Sequence, residues 1–289
     1  MKSDAAVGLL EWCIEIGDDE CIGEAPVDHF KLEIQEKKRL QRHDEPIAIE
    51  PAIRGDSTLP DAPSAVSRDN TRPRAGGRAD EVKMQGLAIS EAISAADDTR
   101  SLEALRKALS NYNHCELKKL AQNLVFSDGH PCAHVMIIGE APGADEDRLG
   151  RPFVGRAGRL LDRMFAEIDL SREEESPERS FYITNILPWR PPGNRNPTPN
   201  EIDMLLPFVK RHVELVEPKL LVLMGNISCN ALLGKGAITR RHGNWHEWKG
   251  IPVMPMYHPA YLLRNPVAKG GAWIDLLKIR AFLIEKGMR

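Results

Sequence analysis

No apolar run in the 289 residues approaches the ~18 that a membrane-spanning helix requires. The first residues, MKSDAAVGLLEW, lack the basic head and small-residue cleavage site of a secretory signal. A cytoplasmic, soluble protein without a membrane partner is the expectation. Cysteine is also scarce. Cys13, Cys21, Cys115, Cys132 and Cys229 include no CxxC pair, which argues against a disulfide framework and against a zinc site. Charge is nearly balanced at -3, but unevenly spread: residues 1–100 carry 21 acids and 13 bases, a balance of -8, leaving +5 for the rest. That bias suits a polyanionic partner without identifying one. A last absence concerns the turn GEAPGADED at 139–147. It follows an apolar strand, where phosphate loops sit, yet no lysine follows its glycines as a nucleotide loop would need.

The chain divides by composition. Residues 1–42 hold two segments with helix-like spacing, AAVGLLEWCIEI and FKLEIQEKKRLQR, and read as a helical extension. Residues 43–82 are rich in Pro, Asp, Ser, Gly and Arg without period, and read as a flexible linker. A helix pair follows at about 83–111, with Ser101 as the N-cap of its second member. From Asn111 onward, apolar runs at 134–139, 181–186, 219–225 and 251–257 alternate with helical segments at 156–168, 200–217, 226–233 and 272–286. This alternation predicts an α/β fold, a three-layer αβα sandwich around a mainly parallel four-stranded sheet. Ligands of such sheets bind beyond the carboxyl ends of the strands. There the sequence places Glu140 to Gly143, Asn185, Asn226 and His258.

Each of these residues has a bland reading beside a functional one. Asn185 opens a proline-stiffened segment, TNILPWRPPGNRNPTPNE, that also presents Asn194 and Arg195. The segment reads either as a rigid connector or as a loop whose amides recognise a nucleobase edge. His258, in YHPAYLLRNP, is placed to stabilise an anionic leaving group, and the bulky Leu262 and Leu263 beside Arg264 suit insertion into a base stack. Phe153, flanked by glycines, is either core or a platform under an extruded base. Asp145 and Asp147 read as a solvated turn, with Glu146 open between turn and site. The basic, aromatic-containing TRRHGNWHEWKG reads equally as a DNA-facing loop or a hairpin.

From about Cys115 onward, GEAPGADED, GRPFVGRAG, TNILPWRPPGNRNPTP and HPAYLLRNP together resemble, in order and spacing, the family 4 branch of the uracil-DNA glycosylase superfamily. The resemblance implies a pocket for a flipped base, shaped by the turn that carries Ala141 and Gly143. It implies that Phe153 stacks on uracil, that Asn185 reads its edge, and that His258 faces O2. Leu262, Leu263 and Arg264 would fill the gap in the duplex, while the proline-rich loop with Arg195, and Gly225–Asn226, would meet phosphates. Glu140, Asn194 and Glu146 match positions tied to catalysis, with exclusion of a thymine methyl as the alternative role of Glu146. Ala141 stands where the better-known branch has an aspartate.

The same branch usually holds a [4Fe-4S] cluster on four cysteines. Here Cys115 remains, but Tyr112, Trp189 and Leu205 occupy the other three positions. The expectation is no cluster, no metal and no diffusible cofactor. The branch that traps uracil-DNA covalently uses a histidine in an insertion that this chain lacks. The expected protein is a monomeric, monofunctional glycosylase acting on uracil-containing DNA, with residues 1–42 free to bind a protein partner. Competing readings are a uracil-DNA or abasic-site binder with weak turnover, a glycosylase of broader deaminated-base specificity, and a small-molecule nucleotide enzyme.

Overall fold

The computed structural model describes residues 75–288. The expectations for residues 1–42 and most of the linker fall outside them. The linker's end is corrected: helix α1 spans Ala75–Asp97, so 75–82 are helical. The last proline before it is Pro73, and in the alanine-rich, proline-free stretch that follows every backbone amide can join a helical ladder, Gly76 and Gly77 included. Helix α2 spans Leu102–Asn111, and Ser101 caps it by accepting from the Ala104 amide at 3.1 Å.

A single turn, α3 (Leu117–Leu120), leads to the sheet. Strands β1 (Asp128–Gly129) and β2 (Val135–Gly139) precede α4 (Ala144–Leu149) and α5 (Arg156–Ala166). Strand β3 (Phe181–Asn185) is followed by α6 (Pro199–Val216) and β4 (Leu220–Met224), then by α7 (Gly225–Leu233) and α8 (Ile238–Arg241). Strands β5 (His246–Trp248) and β6 (Ile251–Met256) precede α9 (Pro259–Arg264) and α10 (Lys269–Glu285).

The sheet has six strands in the order β1-β3-β2-β4-β6-β5 rather than the four expected. The four apolar runs form its parallel centre, and the two additions are short antiparallel edges of two and three residues. Such strands are too short to display a period. Edge strand β5 also makes TRRHGNWHEWKG part of a hairpin: the segment holds the end of a short helix, one hairpin arm and the hairpin turn. Trp248 pairs with Ile251 across a two-residue turn. Lys249 and Gly250 both hold positive φ there, at 49° and 81°, as a turn matched to strand twist requires.

Successive strand residues face opposite layers. Met136, Ile138, Tyr182, Leu221 and Leu223 share one core cluster with Leu205, Phe208 and Val209 of α6 and with buried residues of α1, α2 and α7. In α6, Leu205, Phe208, Val209, His212, Val213 and Val216 recur at helical spacing and are buried. The alternate strand residues face α5 and α10; Phe165 of α5 meets Phe181 at 5.4 Å. The register matters most for the site. Gly139 pairs with Asn185, and Met224 with Met256, so the parallel strands end along one line.

Candidate active site

Beyond that line lies a cleft of about 380 Å³. Its floor depends on one missing side chain. A Cβ on Gly139 would overlap both Asn185 Oδ1 and the Phe153 ring, so glycine here lets the two approach over the end of β2. Asn185 is 4 % exposed, and neither its Oδ1 nor its Nδ2 has a hydrogen-bond partner. An unpaired buried amide costs on the order of 1–3 kcal/mol per group. A ligand with one donor and one acceptor on the same edge relieves that cost. The Phe153 ring lies 5.5 Å from that of His258 and inclined at 30°.

His258 ends the loop after β6 and caps α9. Its Nδ1 accepts from the Ala260 amide at 3.2 Å, which leaves the proton on Nε2. Burial, reinforced by Arg264, pushes its pKa down to about 4. At neutral pH the ring is therefore an uncharged N–H donor. Opposite it, Gly225 turns with φ 90°, and a Cβ there would sit 3.2 Å from His258 Cβ. Glu140 lines the cleft just past β2, where burial raises its carboxyl above the usual range.

Glu146 proves to be a clip. Its Oε1 accepts from the Val154 and Gly155 amides at 2.9 and 2.8 Å, and its Oε2 from Gly143 at 3.1 Å. Both oxygens are committed to main chain, so its edge lines the cleft while its charge holds two loops together. Asp147 is a correction. It is buried rather than solvated, and its Oδ1 accepts from the Gln122 and Asn123 amides. Asp145 is exposed.

Asn194 stands on the opposite wall in a left-handed turn, φ 54°. Its Oδ1 accepts from Arg190 Nε at 2.8 Å, which turns its Nδ2 donor to other partners. Ala141 and Gly143 line the cleft, as do Arg195 and Arg264. Arg195 is gripped by Glu201 through two contacts of 2.9 and 2.6 Å. Glu201 also forms the capping box of α6 with Thr198, so Arg195 ties the proline-rich loop to that helix. Asn226 lies outside the cleft lining, and its Oδ1 accepts from the Ile238 amide at 2.7 Å. Leu262 is fully buried, whereas Leu263 is 36 % exposed. Of the two leucines expected as a wedge, Leu262 anchors α9 and Leu263 faces outward.

The description "Uracil DNA glycosylase superfamily" belongs to the family whose sequence pattern matches residues 126–277. The chain belongs to the uracil-DNA glycosylase superfamily. Among its relatives is a type-4 uracil-DNA glycosylase of Sulfurisphaera tokodaii, 37 % identical over 194 residues that cover 64 % of this chain and 86 % of the relative. Another is the type-4 enzyme of Archaeoglobus fulgidus, 36 % identical over 188 residues, covering 62 % and 92 %.

The four positions that the family 4 resemblance aligns with cluster ligands come together in the structure. Tyr112, Cys115, Trp189 and Leu205 are all buried members of one core cluster. Tyr112 donates its hydroxyl to the Ala88 carbonyl at 2.9 Å and meets Phe208 edge-on. Burial pushes the Cys115 thiol up to about 11, so it stands protonated in this core. One thiol among a phenol, an indole and an alkyl group does not fit a [4Fe-4S] cluster. Among the described residues, no group of three His, Cys, Asp or Glu is placed to hold a metal ion.

Proposed function

We propose that this chain flips uracil out of DNA and hydrolyses its N-glycosidic bond, leaving an abasic site for base excision repair. The observation that carries the reading is the unpaired, buried amide of Asn185 at the cleft floor. Its Oδ1 accepts from uracil N3–H and its Nδ2 donates to O4; cytosine offers the reverse polarity and is refused. Phe153 supports the base from its face. As the bond breaks, the electron pair leaves with the base, and the neutral His258 donates Nε2–H toward O2 of the uracil anion. The sugar gains oxocarbenium character. Glu140 stabilises it as a carboxylate and accepts from the attacking water, which Asn194 Nδ2 helps to hold. Arg264 and Leu263 face the duplex, with Leu263 entering the gap that the base leaves.

The specificity test uses end-labelled oligonucleotides carrying one uracil, thymine or cytosine, incubated without added metal and then cleaved with alkali. Breaks at uracil alone are expected. Breaks at none of the three, or at thymine and cytosine equally, would overturn the reading.

Two further outcomes arise here. Glu140 works ionised, and burial holds its folded pKa above the ordinary carboxylate range, so the acid limb of the rate lies higher than an unperturbed glutamate would set it. By the same linkage, protonated Glu140 favours the folded chain, and that contribution is lost as pH rises through the folded pKa. A Glu140→Gln variant, followed by single-turnover rates against pH, should be slower and lose this acid limb. An unchanged acid limb would exclude Glu140.

The second outcome concerns the cluster. Trp189 and Leu205, buried in the core at two of the ligand positions, support a reading in which the chain works without iron. Purified protein should be colourless, and a chelator should leave its rate unchanged. A brown preparation with iron in stoichiometric amount would contradict this.

A further inference from the structure

Phe153 holds a conformation that its side chain disfavours, with φ at 54°. Its peptide is gripped on both sides. Ahead of it, the buried guanidinium of Arg172 donates to the Pro152 carbonyl at 2.8 Å and to the Phe153 carbonyl at 3.1 Å. Behind it, Glu146 accepts from the next two amides, Val154 and Gly155. The helix below leaves no slack, because a Cβ on Gly158 would overlap the Phe153 carbonyl.

Arg172 is itself fixed. Its side chain is 6 % exposed and lies between Asp162, at 2.8 Å, and Asp128, at 3.0 Å. A planar guanidinium can meet two carboxylates and two carbonyls at once; an ammonium cannot. Two charges of opposite sign thus hold one strained peptide from either end, and the residue so held is the platform of the cleft.

We propose that Arg172 is a positioning residue of the glycosylase, which sets the plane of the Phe153 ring under the base without touching it. This rests on the function proposed above. Misplacing a platform by about 1 Å can cost on the order of 100-fold in rate, and Arg172→Lys removes the fork while keeping the charge.

The test is a double-mutant cycle on single-turnover uracil release: wild type, Arg172→Lys, Phe153→Ala and the pair. Arg172→Lys should lower the rate roughly 10- to 100-fold while binding to abasic-site DNA stays within about twofold. In the Phe153→Ala background the same change should do nothing further, because the group it positions has gone. Losses that multiply would overturn the proposal, since a general loss of stability acts in either background. If Arg172→Lys does not fold, Asp162→Asn, at a side chain 45 % exposed, frees one end of the guanidinium and enters the same cycle. A wild-type chain that releases no uracil would sink both the function and this inference. Multiplying losses on an active wild type would sink this inference alone.

Discussion

Replacing Asn185 with alanine should lower kcat/KM for uracil-DNA roughly 1,000-fold, the scale of two buried hydrogen bonds to one substrate edge. The variant should fold at least as well as the parent. In the free chain the amide has no partner for either heteroatom, so its removal also removes an uncompensated buried group. Function and stability therefore move in opposite directions, a pattern that a structural asparagine would not give. The measurement pairs single-turnover rates on uracil oligonucleotides with a thermal midpoint. A lower midpoint together with near-normal kinetics would mean that Asn185 is a packing residue.

His258→Ala should lower kcat about 100- to 1,000-fold with little change in KM. The reason is timing. A neutral N–H donor gains most from its partner when O2 becomes anionic, so the contact strengthens in the transition state rather than in the bound substrate. Because its Nδ1 is held by the Ala260 amide, the ring cannot swing the wrong nitrogen toward the base. Since burial keeps its pKa at about 4, the wild-type rate should not titrate through the ordinary histidine range. A rate limb at pH 6 to 7 that disappears in His258→Ala would show a charged imidazole and contradict the mechanism.

Strand ends made much of the cleft legible. Four short apolar runs, each followed at once by Gly, Asn or His, announced where a parallel sheet would present polar groups. The register then brought Gly139 and Asn185 side by side. What sequence could not supply was partnership across distance. Arg172 carries no signal in the sequence, because its four partners lie at 128, 152, 153 and 162 and share no spacing. Asp147 read as solvated for the same reason: the amides that bury it come from residues 122 and 123. Glu146 was visible as a residue of the site but not as a clip, since main-chain donors carry no sequence signature. Leu262 and Leu263 are adjacent and alike in sequence, and only the fold separates anchor from exposed side chain.

The proposed activity of the cleft is release of a free base from DNA. Its most direct test is mass spectrometry of everything released when the full-length chain meets an oligonucleotide bearing a single uracil, in the presence of chelator. Free uracil and an intact strand with one abasic site are expected, in equal amounts and over many turnovers. Unchanged oligonucleotide retained in a stable uracil-specific complex would contradict it, leaving a protein that grips the base and does not cut.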